Sequence, residues 1–318
     1  MQLSEVTVLA GKIKENIKKV IIGKDEVIEL MLAAILAKGH VLLEDVPGTG
    51  KTVLAKALAK SLEGSFSRVQ FTPDILPSDI TGMNVYNQQA GRFEFKKGPV
   101  FANVVLADEI NRATPRSQSA LLECMEERQV TVDGTTYRLQ EPFLVIATQN
   151  PVETQGTFQL PEAQIDRFFI KTGMGYPTVE EGVAILDRFI ENNPLEELAP
   201  VATTQQLAQA QAALSQVHVS ADIRRYIINL VDATRKEDGV ALGVSPRGSL
   251  AMLRAVMALA AVRGREYVIP DDVKEMVKPV LGHRLICHSS YYNTRNINDI
   301  ISSIMSKVEV PTEVLKEE

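Results

Sequence analysis

Glu44-Asp45-Val46-Pro47-Gly48-Thr49-Gly50-Lys51-Thr52 lies between a short apolar run, Val41-Leu42-Leu43, and a helix-like run from Val53 to Ala59. The order is strand, tight loop, helix N-terminus. Backbone N–H groups of such a loop point inward as an anion nest, and the helix dipole adds partial positive charge. Lys51 can reach β- and γ-phosphates, and the Thr52 hydroxyl can ligate Mg²⁺. A nucleoside triphosphate is the expected ligand. The stretch departs from G-x-x-x-x-G-K-[ST] at one place, because Asp45 stands where the first glycine belongs. That position turns the chain out of the strand, and Asp tolerates unusual backbone angles better than most residues.

Outward from this loop, β-like runs alternate with helical patterns. Strands are predicted at Val41–Leu43, Arg68–Phe71, Asn103–Ala107, Phe143–Ala147 and Phe168–Ile170. This alternation predicts a parallel sheet covered on both faces. Two hairpins interrupt the scheme. Gln129–Val132 and Thr135–Arg138 flank Asp133-Gly134, a strong two-residue turn signal. Met83–Asn87 and Arg92–Phe95 flank Gln88-Gln89-Ala90-Gly91. Such hairpins either decorate the enzyme or grip another macromolecule.

A break falls near Gly173-Met174-Gly175-Tyr176-Pro177, after which β-like runs nearly vanish. Thr178 with Glu181 forms a capping box before an apolar stripe of Ile185, Leu186 and Phe189. Ser220 is placed to cap a helix carrying Ile223, Ile227, Leu230 and Val231. Ser245-Pro246 opens another, with Leu250, Leu253, Val256 and Met257 on its apolar side, and Pro270-Asp271-Asp272 opens one more. The expected organisation is an α/β core over residues 1–174, an all-α domain over 178–310 and a frayed tail over 311–318.

The 318 residues are enough for one large or two ordinary domains. Hydrophobic content of 45% and charged content of 23% are those of a soluble globular protein. A net charge of −6 gives no blanket attraction to nucleic acid or anionic lipid. Lys12, Lys14, Lys18, Lys19 and Lys24 read as one solvated helix side. Cys124 and Cys287 are the only cysteines, a usage that fits a reducing cytoplasm. Lys12, Lys14 and Glu15 interrupt any apolar signal core, and no uncharged apolar run approaches ~18 residues, so no membrane span is expected.

The chemistry is expected at strand ends. Asn103 to Ala107 is an apolar run that ends in Asp108-Glu109. Ligands of a parallel sheet sit at the C-terminal strand ends. There Asp108 can hold Mg²⁺ through water and Glu109 can accept a proton from the attacking water. A second buried run, Phe143 to Ala147, leads to Thr148-Gln149-Asn150. The neutral amide of Asn150 can orient water beside a γ-phosphate without repelling it. Arg247 sits in the first turn of a predicted helix, where a cation opposes the dipole unless an anion lies nearby. A phosphate is the obvious anion. Arg167 can pair locally with Asp166 or Glu162, or reach a nucleotide on a neighbouring subunit, and spacing leaves both open. His283, Cys287 and His288 lack a complementary ligand pair and are read as packing, and His40 and His218 are assigned no partners.

Taken together, these motifs resemble the AAA+ ATPases, and within them the MoxR family, over about Ile22 to Leu281. The general marks are a Walker A segment at Pro47 to Thr52, Walker B at Asp108-Glu109 and sensor 1 at Asn150. More specific are Phe71 to Gly82, Asp108 to Arg112, Leu160 to Phe168 and Gly243 to Arg247. The resemblance implies a P-loop AAA+ sheet domain followed by a small helical lid. It implies ATP and Mg²⁺ as cofactors, with Pro47, Gly48, Thr49, Gly50, Lys51, Thr52 and Val53 around the phosphates and Ile22-Gly23 on adenine. Thr52 and Asp108 would hold the metal. Arg167 matches the arginine finger acting in trans, which implies a ring, usually a hexamer. Arg247 matches sensor 2, acting from the lid. The hairpins match the helix-2 insert and the pre-sensor 1 hairpin, facing the ring's pore or a partner. MoxR-like proteins are regarded as chaperone-like ATPases, often with von Willebrand factor A partners.

The expected function is thus ATP hydrolysis in a cytoplasmic ring that remodels or activates other proteins. Rival readings are an AAA+ nucleic-acid motor, a nucleotide-gated scaffold and a small-molecule kinase. The acidic balance speaks against the first and the intact Asp108-Glu109 pair against the second. The third gives no reason for Asn150 or for Asp166-Arg167. No N-K-x-D segment for guanine is present, so ATP is expected over GTP.

Overall fold

The computed structural model describes residues 1–151, 156–191, 193–288 and 296–311. The tail expected over 311–318 lies, beyond Pro311, outside the described residues. The chain divides into two compact units, residues 8–212 and residues 1–7 with 213–318.

In the larger unit the strands run β1 (Val41–Glu44), β2 (Phe66–Gln70), β3 (Gly82–Asn87), β4 (Arg92–Lys97), β5 (Val104–Asp108), β6 (Gln129–Val132), β7 (Thr135–Arg138), β8 (Leu144–Gln149) and β9 (Ile170–Thr172). Five of them form one sheet in the order β2-β5-β8-β1-β9, with every neighbouring pair parallel. Residues 104–107 of β5 and 144–147 of β8 are at most 1% exposed. Runs this apolar are stable only where helices cover both faces of a sheet. β1, β5 and β8 become polar at their carboxyl ends, so Glu44, Asp108 and Gln149 collect along one edge with Gln70 at the end of β2.

Two strands of the sheet open two residues away from their predicted positions, and one of them, β2, opens earlier, at Phe66, and ends before Phe71. Phe168 and Phe169 precede β9 instead of opening it. The Phe168 N–H closes a turn on Ile165 O, so it cannot join the ladder, and its ring is fully buried in the core. The Phe169 N–H then donates to His40 O, which starts the pairing of β9 with β1.

His40 has partners that were not legible in sequence. The Val145 N–H donates to His40 Nδ1 at 3.0 Å, so Nδ1 carries no proton and Nε2–H donates to Met125 O at 3.1 Å. The ring thereby joins β1, β8 and the end of the Pro115–Glu127 helix. Burial, with the Arg128 guanidinium adding to it, pushes the His40 pKa down to about 3.

Asp45 also departs from expectation. It does not adopt a positive φ, so tolerance of unusual angles is not its role. Instead its carboxylate accepts from Val46 N on one oxygen and from Met174 N and Gly175 N on the other, each at 2.9 Å. The side chain thus ties the loop after β1 to the segment after β9.

Both hairpins form. β6–β7 turns through Asp133 and Gly134, both at positive φ, as a two-residue hairpin requires. β3–β4 is longer than predicted, reaching Gly82 and Lys97. Phe95 stacks on Tyr137 at 4.1 Å and Asn84 donates to Asp133 at 2.7 Å, so the two hairpins are bonded to each other.

The helix Val179–Glu191 opens on the expected Thr178–Glu181 box, yet Leu186 and Phe189 of its apolar stripe are 67% and 53% exposed.

The other unit is helical, with one short antiparallel ribbon, β10 (Val240–Leu242) and β11 (Ile286–Cys287), added to it. Ser220 caps the helix Ala221–Lys236 by accepting from Ile223 N, and Asp272, fully buried, accepts from Ile269 N at the head of Pro270–Leu281. In the helix Pro246–Val262 the buried side is Met252, Ala255, Val256 and Leu259, while Leu250 is exposed. At Gly248 the Val244 and Arg284 side chains occupy the space a Cβ would need, so the helix is approached closely on that side.

Two measurements test these contacts. Below pH ~6.5 the unfolded His40 ring takes up a proton that the folded ring refuses until about 3. This part of the stability is complete above pH ~6.5 and is lost as pH falls toward 3, by at most ~1.4 kcal/mol per pH unit. Urea unfolding between pH 7.5 and 5 should show a shallower acid loss for His40→Gln than for the parent. Parallel slopes would exclude His40 as the cause. For Asp45→Gly, which restores the usual motif glycine, loss of the carboxylate acceptor should cost about 1–3 kcal/mol, read as a drop in Tm. An unchanged Tm would show that the tie to residues 174–175 is dispensable.

Candidate functional site

The site is built where β1, β5 and β8 end. Beyond β1 the chain passes Gly48 at φ +84° and Gly50 at φ +91°, conformations open to glycine at no steric cost. Gly50 is the N-cap of the helix Lys51–Ser61 and offers no side chain to its first N–H groups. Those donors therefore face the loop's interior. The Lys51 ammonium folds over the same mouth, donating to Asp45 O at 3.0 Å and Val46 O at 2.8 Å.

Opposite the loop, β5 delivers the two carboxylates. Asp108 Oδ1 accepts from the Thr148 hydroxyl at 2.6 Å, and Oδ2 accepts from Arg68 Nη2 at 2.7 Å and Nε at 3.1 Å. Glu109 stands at φ +57°, ψ +50°, a left-handed conformation that costs a non-glycine residue about 1 kcal/mol or more. The surroundings hold it there. Its N–H donates to the Thr148 hydroxyl at 2.8 Å, Gln70 Nε2 donates to its Oε2 at 2.8 Å, and Arg112 Nε lies 3.2 Å from the same oxygen. Strained backbone of this kind collects at functional positions. The turn departs from the strand direction and aims the carboxylate into the cavity instead of along the sheet edge.

Loop, carboxylates and the end of β8 enclose a cavity of about 410 Å³. Its walls include Pro47, Gly48, Thr49, Gly50, Lys51, Thr52, Val53, Asp108, Glu109 and Asn150, all expected from sequence. Asn150 is 9% exposed at the exit of β8. Four further wall residues, Arg68, Gln70, Thr148 and Gln149, were not singled out. A signal for two of them exists. Arg68 and Gln70 alternate with Val69 and Phe71 at the period of a strand with one polar face. Thr148 gave none, because a lone threonine at a strand end is compatible with any role.

Ile22, Gly23 and Arg167 do not line this cavity. Gly23 adopts φ +69° beside the Glu181 side chain, which fills the space a Cβ would need. Ile22 precedes it, half-buried. Arg167 places Nε 3.0 Å from Glu126 Oε2, a partner different from the two considered in sequence. Arg247 is exposed in the first turn of the Pro246–Val262 helix, in the other unit. Among the described residues no helix is long and apolar enough to cross a membrane.

Residues 40–170 match the ATPase family associated with various cellular activities (AAA), and residues 232–304 match an AAA lid domain. An uncharacterised protein of Bacillus subtilis, YeaC, is 49% identical and covers 96% of each chain. Chaperone MoxR1 of Mycobacterium tuberculosis is 42% identical over 97% of this chain and 84% of its own. A solved structure from Cytophaga hutchinsonii, provisionally assigned as an ATPase, aligns with a TM-score of 0.89 at 40% identity, over 97% of this chain and 98% of that one. On its fold, its phosphate loop and these relatives, the chain belongs to the MoxR family of AAA+ ATPases.

Proposed function

We propose that this protein hydrolyses ATP to ADP and phosphate in a ring of identical subunits, and that the cycle remodels or activates partner proteins. The observation that carries the reading is the convergence, in one cavity, of an open helix N-terminus, Lys51, two strand-end carboxylates and Asn150.

The loop N–H groups and Lys51 hold the phosphates, and Pro47, Thr49 and Val53 shape the cradle around them. Thr52 and Asp108 offer hydroxyl and carboxylate oxygens, a donor set suited to a hard divalent cation, and Asp108 already accepts hydrogen bonds from the Arg68 guanidinium. Mg²⁺ held by these two residues supplies neutralisation of phosphate charge when bound. Glu109 takes the proton of the attacking water, and Asn150 orients that water. Both jobs need fixed positions, which the hydrogen-bonded turn at Glu109 supplies. Ile22-Gly23 contact adenine. Arg247 acts on the same nucleotide from the lid.

Arg167 is assigned to the neighbouring copy's nucleotide. Its absence from its own cavity wall supports that assignment, and the ion pair with Glu126 holds it ready meanwhile. A positive group arriving from another subunit couples hydrolysis to assembly. The bonded hairpins expose Tyr86 and Phe93, packed edge-to-face at 5.3 Å, and these rings are the docking element for a client polypeptide. A von Willebrand factor A domain protein is the partner class we assign. The name of the mycobacterial relative, a chaperone, supports the remodelling role.

Two experiments test the assignment. Glu109→Gln should lower phosphate release by about 100-fold or more while nucleotide affinity stays within a few fold. Hydrolysis at the parent rate would remove Glu109 as the base. Arg167→Ala and Glu109→Gln should each be inactive alone. Mixed together they should recover measurable phosphate release, because an intact base then meets an intact arginine across a subunit boundary. A mixture as inactive as its components would exclude action in trans.

A further inference from the structure

β2 is the edge strand of the sheet, paired only with β5. Gln70 lies level with Asp108 and Arg68 level with Leu106, so both side chains on the polar face of β2 stand over the end of β5. Arg68 uses the juxtaposition fully. Nε and Nη2 both donate to Asp108 Oδ2, and Nη2 also donates to Gln70 Oε1 at 2.9 Å. The Asp108 side chain is 13% exposed, while that of Arg68 is 48% exposed. The carboxylate is therefore largely dry, while about half of the cation that holds it faces solvent.

A carboxylate this poorly hydrated is costly without a cation beside it. The Thr148 hydroxyl serves its other oxygen, which leaves Oδ2 as the face available to a positive charge. We infer that Arg68 is a resident counter-ion of Asp108, which keeps the carboxylate in place between turnovers and is displaced by the divalent cation that arrives with nucleotide. This rests on the reading of the cavity as a Mg²⁺-nucleotide site. A divalent ion carries twice the charge of the guanidinium and outcompetes it. The pair still subtracts from its apparent affinity, as any interaction with the empty state must. Arg68 thus acts through Asp108, as a positioning residue that sets the cation concentration at which the site loads.

The alternative role for a cation in this wall is a direct grip on the phosphates. The two roles differ in sign. Removing a phosphate ligand weakens nucleotide binding, whereas removing a competitor of the metal lowers the metal concentration required.

The test uses the full chain and a fluorescent ADP analogue, with no turnover involved. Binding is measured first in EDTA, then as a function of free Mg²⁺. Arg68→Ala should lower the half-saturating Mg²⁺ concentration by about fivefold, the scale of a partly exposed charge-assisted pair. Arg68→Lys, which keeps the charge without the two-nitrogen grip, should fall between Arg68→Ala and the parent. Arg92→Ala, which removes an equal charge from the hairpin pair with Glu94, should match the parent. Unfolding curves without nucleotide establish that each variant folds. If Arg68→Ala fails to fold, the comparison of Arg68→Lys with the parent decides. An unchanged or raised half-saturating Mg²⁺ in the folded variant overturns the inference while leaving the nucleotide site standing. Failure of the parent to bind the analogue under any condition would overturn both.

Discussion

Burial of both faces of the sheet is the constraint from which the rest follows. Residues 104–107 and 144–147 can sit in β5 and β8 only if no polar group falls along their length. Polarity is therefore deferred to the strand ends. Because all five strands are parallel, the ends that carry it share one edge. Asp108, Thr148, Gln149 and Asn150 meet the phosphate loop there as a consequence of how the core is covered.

Within that edge, charge is arranged in closed circuits. Lys51 rests on two loop carbonyls, Arg68 on Asp108 and Arg112 on Glu109. Each of these cations has an oxygen of the chain as its partner. Such pairing lowers the cost of holding several charges in a partly dry cleft. The strained turn at Glu109 is held in the same way, by Thr148 and Gln70.

The departures from sequence expectation share one cause. Asp45 was read as a local backbone device, yet its role is to accept N–H groups from residues 174–175, far along the chain. His40 was assigned no partner, yet Val145 and Met125 close on both its nitrogens. Phe168 was read as strand because it is apolar, and it is apolar because it fills the core beneath the sheet. Arg68 and Gln70 were passed over because a polar strand face reads as solvated until the neighbouring strand's end is known to lie beneath it. In each case the residue type was informative and the partner was not, because partners come from distant sequence.

The amino-acid order alone determined the local pieces. It specified the loop with its lysine, the two apolar runs ending in polar tips, the Asp133-Gly134 hairpin and the capped helices. Each is set by residues a few positions apart, through backbone preference and side-chain periodicity. Tertiary structure decided which side chains share the cavity, that Asp45 ties two segments together, that two hairpins bond through Phe95 and Tyr137, and that Arg68 lies on Asp108. Those outcomes depend on strand order and register, which are fixed by burying all the apolar faces at once, and no short stretch of sequence carries that information.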